Sequence, residues 1–89
     1  MLVTQFKKAR GIKIRKLGDE LMLMDGKGDK IHALNETSTM IWNWVVAQYS
    51  LGDILVKLTQ VYQVSRLQAK KDLLQTIRSF QRLGLLKEM

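Results

Sequence analysis

Few side chains in this 89-residue chain are of a kind, or at a spacing, that could do chemistry. His32 is the one histidine and there is no cysteine, which removes thiolate nucleophiles, disulfides and Cys/His metal sets. The acids Asp19, Glu20, Asp25, Asp29, Glu36, Asp53, Asp72 and Glu88 fall mostly in turns, caps and exposed helix positions, and no pair has a spacing for acid/base work. Ser38, Ser50, Ser65 and Ser79 lack the strand–turn–helix setting of a nucleophile elbow. Gly26-Lys27-Gly28 gives a G-x-G, but it lies between two strand patterns and no third Gly opens a helix. The expectation is a chain without catalytic residues, metal or cofactor.

What remains is the chemistry of contact. Between Ser65 and Gly84, at about 100° per residue, Ala69, Leu73, Ile77 and Phe80 form a narrow core stripe. Leu67 and Leu74, seven residues apart, share a second direction roughly 100° or more round from Leu73. Lys70, Lys71, Arg78 and Gln81 surround that direction. Two leucines framed by three cations make an apolar strip with a basic rim. The plainer alternative is that helix 1 or the sheet covers both leucines and the cations are simply solvated.

Charge is uneven. The net charge is +7, and residues 1–18 hold Lys7, Lys8, Arg10, Lys13, Arg15 and Lys16 with no acid, leaving the rest nearly neutral. A basic arm of this kind attracts acidic partners or only aids solubility, and charge alone does not choose between them. Residues 1–10 hold too few apolar side chains to pack, so a mobile basic arm is expected there, with the folded domain over 11–89. No apolar run approaches the roughly 18 residues of a membrane span, and no secretory h-region opens the chain. A cytoplasmic protein is expected.

The elements that must position these residues read in a simple order. Ile12–Arg15 alternates, Leu21–Met24 is a short apolar run, and Lys30–Leu34 alternates again, so three antiparallel strands are predicted. Leu17-Gly18-Asp19 and Asp25-Gly26-Lys27-Gly28-Asp29 are the turns between them. Asn35 then caps a first helix over about Glu36 to Tyr49. Ser50-Leu51-Gly52-Asp53 opens a second, with Leu51, Ile54, Leu55, Leu58 and Val61 on one face. Ser65-Arg66-Leu67-Gln68 is a capping box for a third, and Gly84 is placed as its left-handed C-cap with Leu85 folding back. A small sheet followed by three helices makes one α+β domain.

This ordered set resembles the PqqD-like family, the small leader-peptide recognition domains of ribosomally made, modified peptide pathways. The carrying residues are Leu21-Met22-Leu23, then Ile31-His32-Ala33-Leu34-Asn35-Glu36-Thr37, Ile41-Trp42, Tyr62-Gln63-Val64-Ser65 and Arg82-Leu83-Gly84-Leu85-Leu86. The free-standing size is most like the split leader-binding subunit of lasso-peptide biosynthesis. The resemblance implies a winged-helix-like α+β fold, an N-terminal three-stranded antiparallel sheet followed by three helices. It makes residues 11–89 a leader-peptide recognition domain. The partners it implies are a precursor leader peptide and a processing enzyme: a leader peptidase, a cyclase or a radical enzyme. The leader adds to the third strand and packs on helix 3, which maps to Lys30, Ile31, His32, Ala33 and Leu34 and to Leu67, Lys70, Lys71, Leu74 and Arg78. One departure is visible: Val45-Val46-Ala47-Gln48-Tyr49 lacks the Gly usual at the end of helix 1.

Two rival readings stand beside it. A three-helix unit could place helix 3 in a DNA major groove with Lys70, Lys71 and Arg78 on phosphates, although only Lys87-Glu88-Met89 follows Leu86 to form a wing. The other is a PqqD-type chaperone of a radical enzyme in quinone cofactor synthesis. Nucleic acid is not the expected partner.

Overall fold

In a computed structural model, described over residues 5–25 and 30–89, the elements run β1 (Phe6–Lys8), β2 (Lys13–Leu17), β3 (Glu20–Met24), β4 (Ile31–Ala33), α1 (Glu36–Val46), α2 (Leu51–Tyr62), α3 (Arg66–Arg82) and β5 (Leu86–Glu88). The three expected strands are β2, β3 and β4, an antiparallel meander in that spatial order. Of the predicted turn after Met24, residues 26–29 lie outside the described residues.

Two expectations are corrected at the chain ends. The arm through residue 10, expected to be mobile for want of apolar side chains, packs against the body over its described part. Phe6 and Ala9 are buried, and β1 pairs antiparallel with β5, Lys7 opposite Lys87. Ala9 N–H also donates to the Leu85 carbonyl at 3.0 Å. The sheet is therefore not confined to the N-terminal side of the helices, and strand structure does follow α3. A three-residue strand with one buried side chain carries too little alternation to register as a pattern.

All three helices start on side-chain caps. Asn35 Oδ1 accepts from Ser38 N–H at 2.8 Å, Ser50 Oγ from Asp53 N–H at 3.1 Å, and Ser65 Oγ from Gln68 N–H at 3.1 Å. The ends of α1 and α3 are both closed by the paired hydrogen bonds of a Schellman motif. At α3, Leu85 N–H reaches the Phe80 carbonyl and Gly84 N–H that of Gln81, with Gly84 at φ 75°. At α1, Tyr49 N–H reaches the Trp44 carbonyl and Gln48 N–H that of Val45, with Gln48 at φ 72°. The Gly missing from this helix end is thus replaced by a Gln in the left-handed region. Its side chain gives a reason: Gln48 Nε2 donates to the Phe6 carbonyl at 3.2 Å, and the Gln48 carbonyl accepts from Gln5 Nε2 at 3.0 Å, tying β1 to the helix end.

The core lies between the helices and one face of the meander. Leu23, Ile41, Trp42, Ile54 and Leu85 are fully enclosed. Trp42 meets Phe80 edge-on at 5.3 Å, while its indole N–H has no hydrogen-bond partner among the described residues. Buried Thr39 fastens α1 to the sheet, its Oγ1 accepting from Leu21 N–H at 3.2 Å and donating to the Leu34 carbonyl at 3.4 Å.

Candidate functional site

The backbone of β4 has one committed edge and one open edge. Leu34 N–H donates to the Leu21 carbonyl at 2.8 Å and Asp25 N–H to the Lys30 carbonyl at 3.3 Å. With Leu23 opposite His32, the ladder to β3 therefore runs through residues 30, 32 and 34. Antiparallel alternation then turns the N–H and C=O groups of Ile31 and Ala33 outward, away from β3. Since β4 is an outer strand of the meander, these groups form an unpaired edge.

That edge borders a groove of about 700 Å³ between β4 and α3. His32, Ala33 and Leu34 line one side; Asn35, Thr37 and Ser38 close the end at the start of α1. The α3 wall is Asp72, Gln75, Thr76, Ser79, Phe80 and Leu83. Among the described residues the lining is rich in hydroxyls and amides, contains neither Lys nor Arg, and has Asp72 as its one carboxylate. Gln68 Nε2 donates to Asp72 Oδ1 at 2.9 Å and so orients that carboxylate. At one end the groove shares Thr37 and Asp72 with a smaller pocket of about 240 Å³, walled by Leu58, Tyr62, Val64 and Ala69.

The structure brings together only part of the predicted site. His32, Ala33 and Leu34 meet α3 across the groove, with the Leu34 side chain itself buried in the core. Ile31 offers its backbone to the open edge while its side chain, 56% exposed, lies on the opposite face of the sheet. Lys30 is exposed beside it. Lys71, Leu74 and Arg78 line a separate hollow of about 400 Å³ that also includes Arg82 and shares only Gln75 and Ser79 with the groove. Leu67, 79% exposed, and Lys70 line neither.

The Leu67/Leu74 strip is therefore not the α3 wall that faces β4. Leu74 and Thr76 are about 160° apart around the helix, so they lie on opposite flanks of the Leu73 stripe. The flank that faces β4 was missed because it is mostly polar. Its signal was present all the same: Asp72, Thr76, Ser79 and Leu83 recur at i, i+4, i+7 and i+11, a second stripe of mostly small side chains beside the core stripe.

A small α+β domain with an open sheet edge beside a helix-walled groove is the class of protein this geometry defines. The chain belongs to the family described as coenzyme PQQ synthesis protein D (PqqD), which matches residues 20–86. No curated protein matches it. Two solved structures share the fold. One is "TbiB1 in Complex with the TbiA(beta) Leader Peptide", at 20% identity and TM-score 0.85, covering 91% of this chain and 94% of that one. The other is "Lasso peptide synthetase B1 complexed with the leader peptide", at 24% identity and TM-score 0.87, covering 93% and 98%. Among the described residues, no group of three or more acids or histidines is placed to hold a metal, and no helix is long and apolar enough to cross a membrane.

Proposed function

We propose that this protein is a non-catalytic recognition subunit that binds the leader of a ribosomally made precursor peptide and presents it to a processing enzyme in the cytoplasm. The observation that carries this reading is the juxtaposition of the open β4 edge with the α3 groove. An extended leader pairs with the outward amides and carbonyls of Ile31 and Ala33, and its alternate side chains enter the groove against Thr76, Ser79 and Leu83. Backbone pairing gives affinity without demanding sequence, and the groove supplies selection. Both structural neighbours carry leader peptides, which supports the same reading. A leader disordered when free loses entropy on binding, which keeps affinity moderate and release possible. The lasso pathway is the favoured setting, since both neighbours are leader complexes and one is lasso peptide synthetase B1. We read the α1–α3 unit with the meander as winged-helix-like. DNA binding has less behind it: β5, the strand that follows α3, is committed to β1 and offers no wing.

Amide shifts followed during titration with synthetic leader peptides of ribosomally made precursors test the proposal. The largest changes are expected at residues 31–34 and along the groove flank of α3. Ala33→Pro removes an outward amide and leaves the β3 ladder intact, so the fold should hold while affinity drops about tenfold or more. Changes concentrated in α2 with residues 31–34 unmoved would refute the docking.

A further inference from the structure

The meander has a second face that the peptide groove does not use. Register and alternation place two rows on it, Lys13–Met24–Ile31 and Arg15–Met22–Ala33, and the helices cover the other face through Leu21 and Leu23. Met22 and Met24 are only half-buried and Ile31 is exposed. With Lys13 and Arg15 they border a hollow of about 350 Å³ whose lining, among the described residues, includes no acid. Leu17, also exposed, continues the apolar surface toward the β2–β3 turn, with Glu20 across from it outside the hollow.

We propose that this outer face docks a second protein whose contact patch is apolar at its centre and carboxylate-bearing at its rim. Three features point to that chemistry. Paired methionines give a surface that adapts to a partner's shape. Lys13 and Arg15 stand along one side of the apolar rows, so a complementary patch carries acids there. Ile31 and Ala33 belong both to this face and to the open β4 edge, so the face is continuous with the peptide site. A second copy of this chain is a poor occupant, because it would bring Lys13 and Arg15 against the same two cations. Naming the partner as the enzyme that acts on the bound peptide rests on the peptide-binding reading; the face itself does not.

The test uses the full chain with its methionine methyl groups labelled for NMR. Met22 and Met24 report the outer face, and Met40, in contact with the Tyr62 hydroxyl at 3.1 Å, serves as the internal control. The probes are two short synthetic peptides, one alternating Leu with Glu and its twin alternating Leu with Lys. The Leu/Glu peptide should shift the Met22 and Met24 signals, leave Met40 unmoved, and bind about tenfold more tightly than the twin. It should do so equally in Thr76→Arg, which fills the peptide groove from α3 and lies outside the outer face. A Lys13→Glu/Arg15→Glu double variant, altered only at exposed positions, should reverse the preference. Met22 and Met24 signals indifferent to the Leu/Glu peptide, or a preference that survives the charge reversal, would overturn the proposal. Failure of the peptide-binding reading looks different: Ala33→Pro would then bind leader as wild type does, whatever the methionines report.

Discussion

The two flanks of α3 meet the same core stripe and have opposite characters. On one side, facing β4, Asp72, Gln75, Thr76 and Ser79 wall a groove with small polar side chains. On the other, Leu67 and Leu74 sit among Lys70, Lys71 and Arg78, turned away from the sheet. The apolar flank is the one that looks like a binding surface, yet the flank beside the open strand edge is the polar one. The proposed strand addition would account for this. Most of the affinity of such a site comes from backbone pairing, so its helical wall need only be narrow enough to admit a chain and polar enough to meet it. Small hydroxyl residues do both, whereas long cations would fill the space.

Core and flanks should separate most sharply in stability. Leu73 is 3% exposed at the centre of the stripe, and Leu73→Ala should lower unfolding stability by about 2–5 kcal/mol, read by thermal or denaturant unfolding. A loss below about 1 kcal/mol would mean that the stripe tolerates collapse and that the distinction between stripe and flank is weak.

The second contrast is in binding. Thr76 is half-buried in the groove wall, and Thr76→Arg projects a long cation into the space beside β4. Leader affinity should fall by about 1–3 kcal/mol in calorimetry, with a stability change well below that of Leu73→Ala. Unchanged binding would place the peptide elsewhere.

Much of this architecture was legible in the sequence, and what escaped did so for physical reasons. The three meander strands, the caps at Asn35, Ser50 and Ser65, and Gly84 at the end of α3 each follow from local chemistry: alternation, side-chain oxygens able to accept an orphan amide, and a residue free to take positive φ. The core stripe followed from apolar periodicity. The β1–β5 pair did not, because its contacts join opposite chain ends and each strand has only three residues. Gln48 did not either, since a left-handed Gln is held by a contact to Phe6 about forty residues away in sequence, at a position where local propensity asks for Gly. The side of α3 that faces β4 depends on how the helix is rotated against the sheet. Helical periodicity finds the core direction and leaves both flanks equivalent until the sheet is in place.

Leu74 tests the boundary between core and outer flank. It is half-buried, so Leu74→Ala should cost about 1 kcal/mol of stability, roughly half of what full burial of a Leu is worth. Leader affinity should change by less than about twofold. Should the variant unfold as readily as Leu73→Ala, the outer flank belongs to the core.

Leu67 gives the smallest expected effect and the cleanest separation of the two flanks. It is the most exposed large apolar side chain described, at 79%, and lines neither the groove nor the neighbouring hollow. It lies in the first turn of α3, where the cap is supplied by Ser65 and does not involve the Leu67 side chain. Leu67→Ala therefore creates no cavity and removes no cap, and a surface change of this kind stays within about 0.5 kcal/mol in thermal unfolding. Ala is also at least as good a helix former as Leu, so propensity gives no reason for a loss. Binding is the decisive measurement. A leader held by β4 and the Thr76/Ser79 wall does not touch Leu67, and its affinity should be that of wild type. If Leu67→Ala weakens the leader about tenfold while leaving stability intact, the peptide crosses the outer flank of α3 after all, and the two flanks exchange roles.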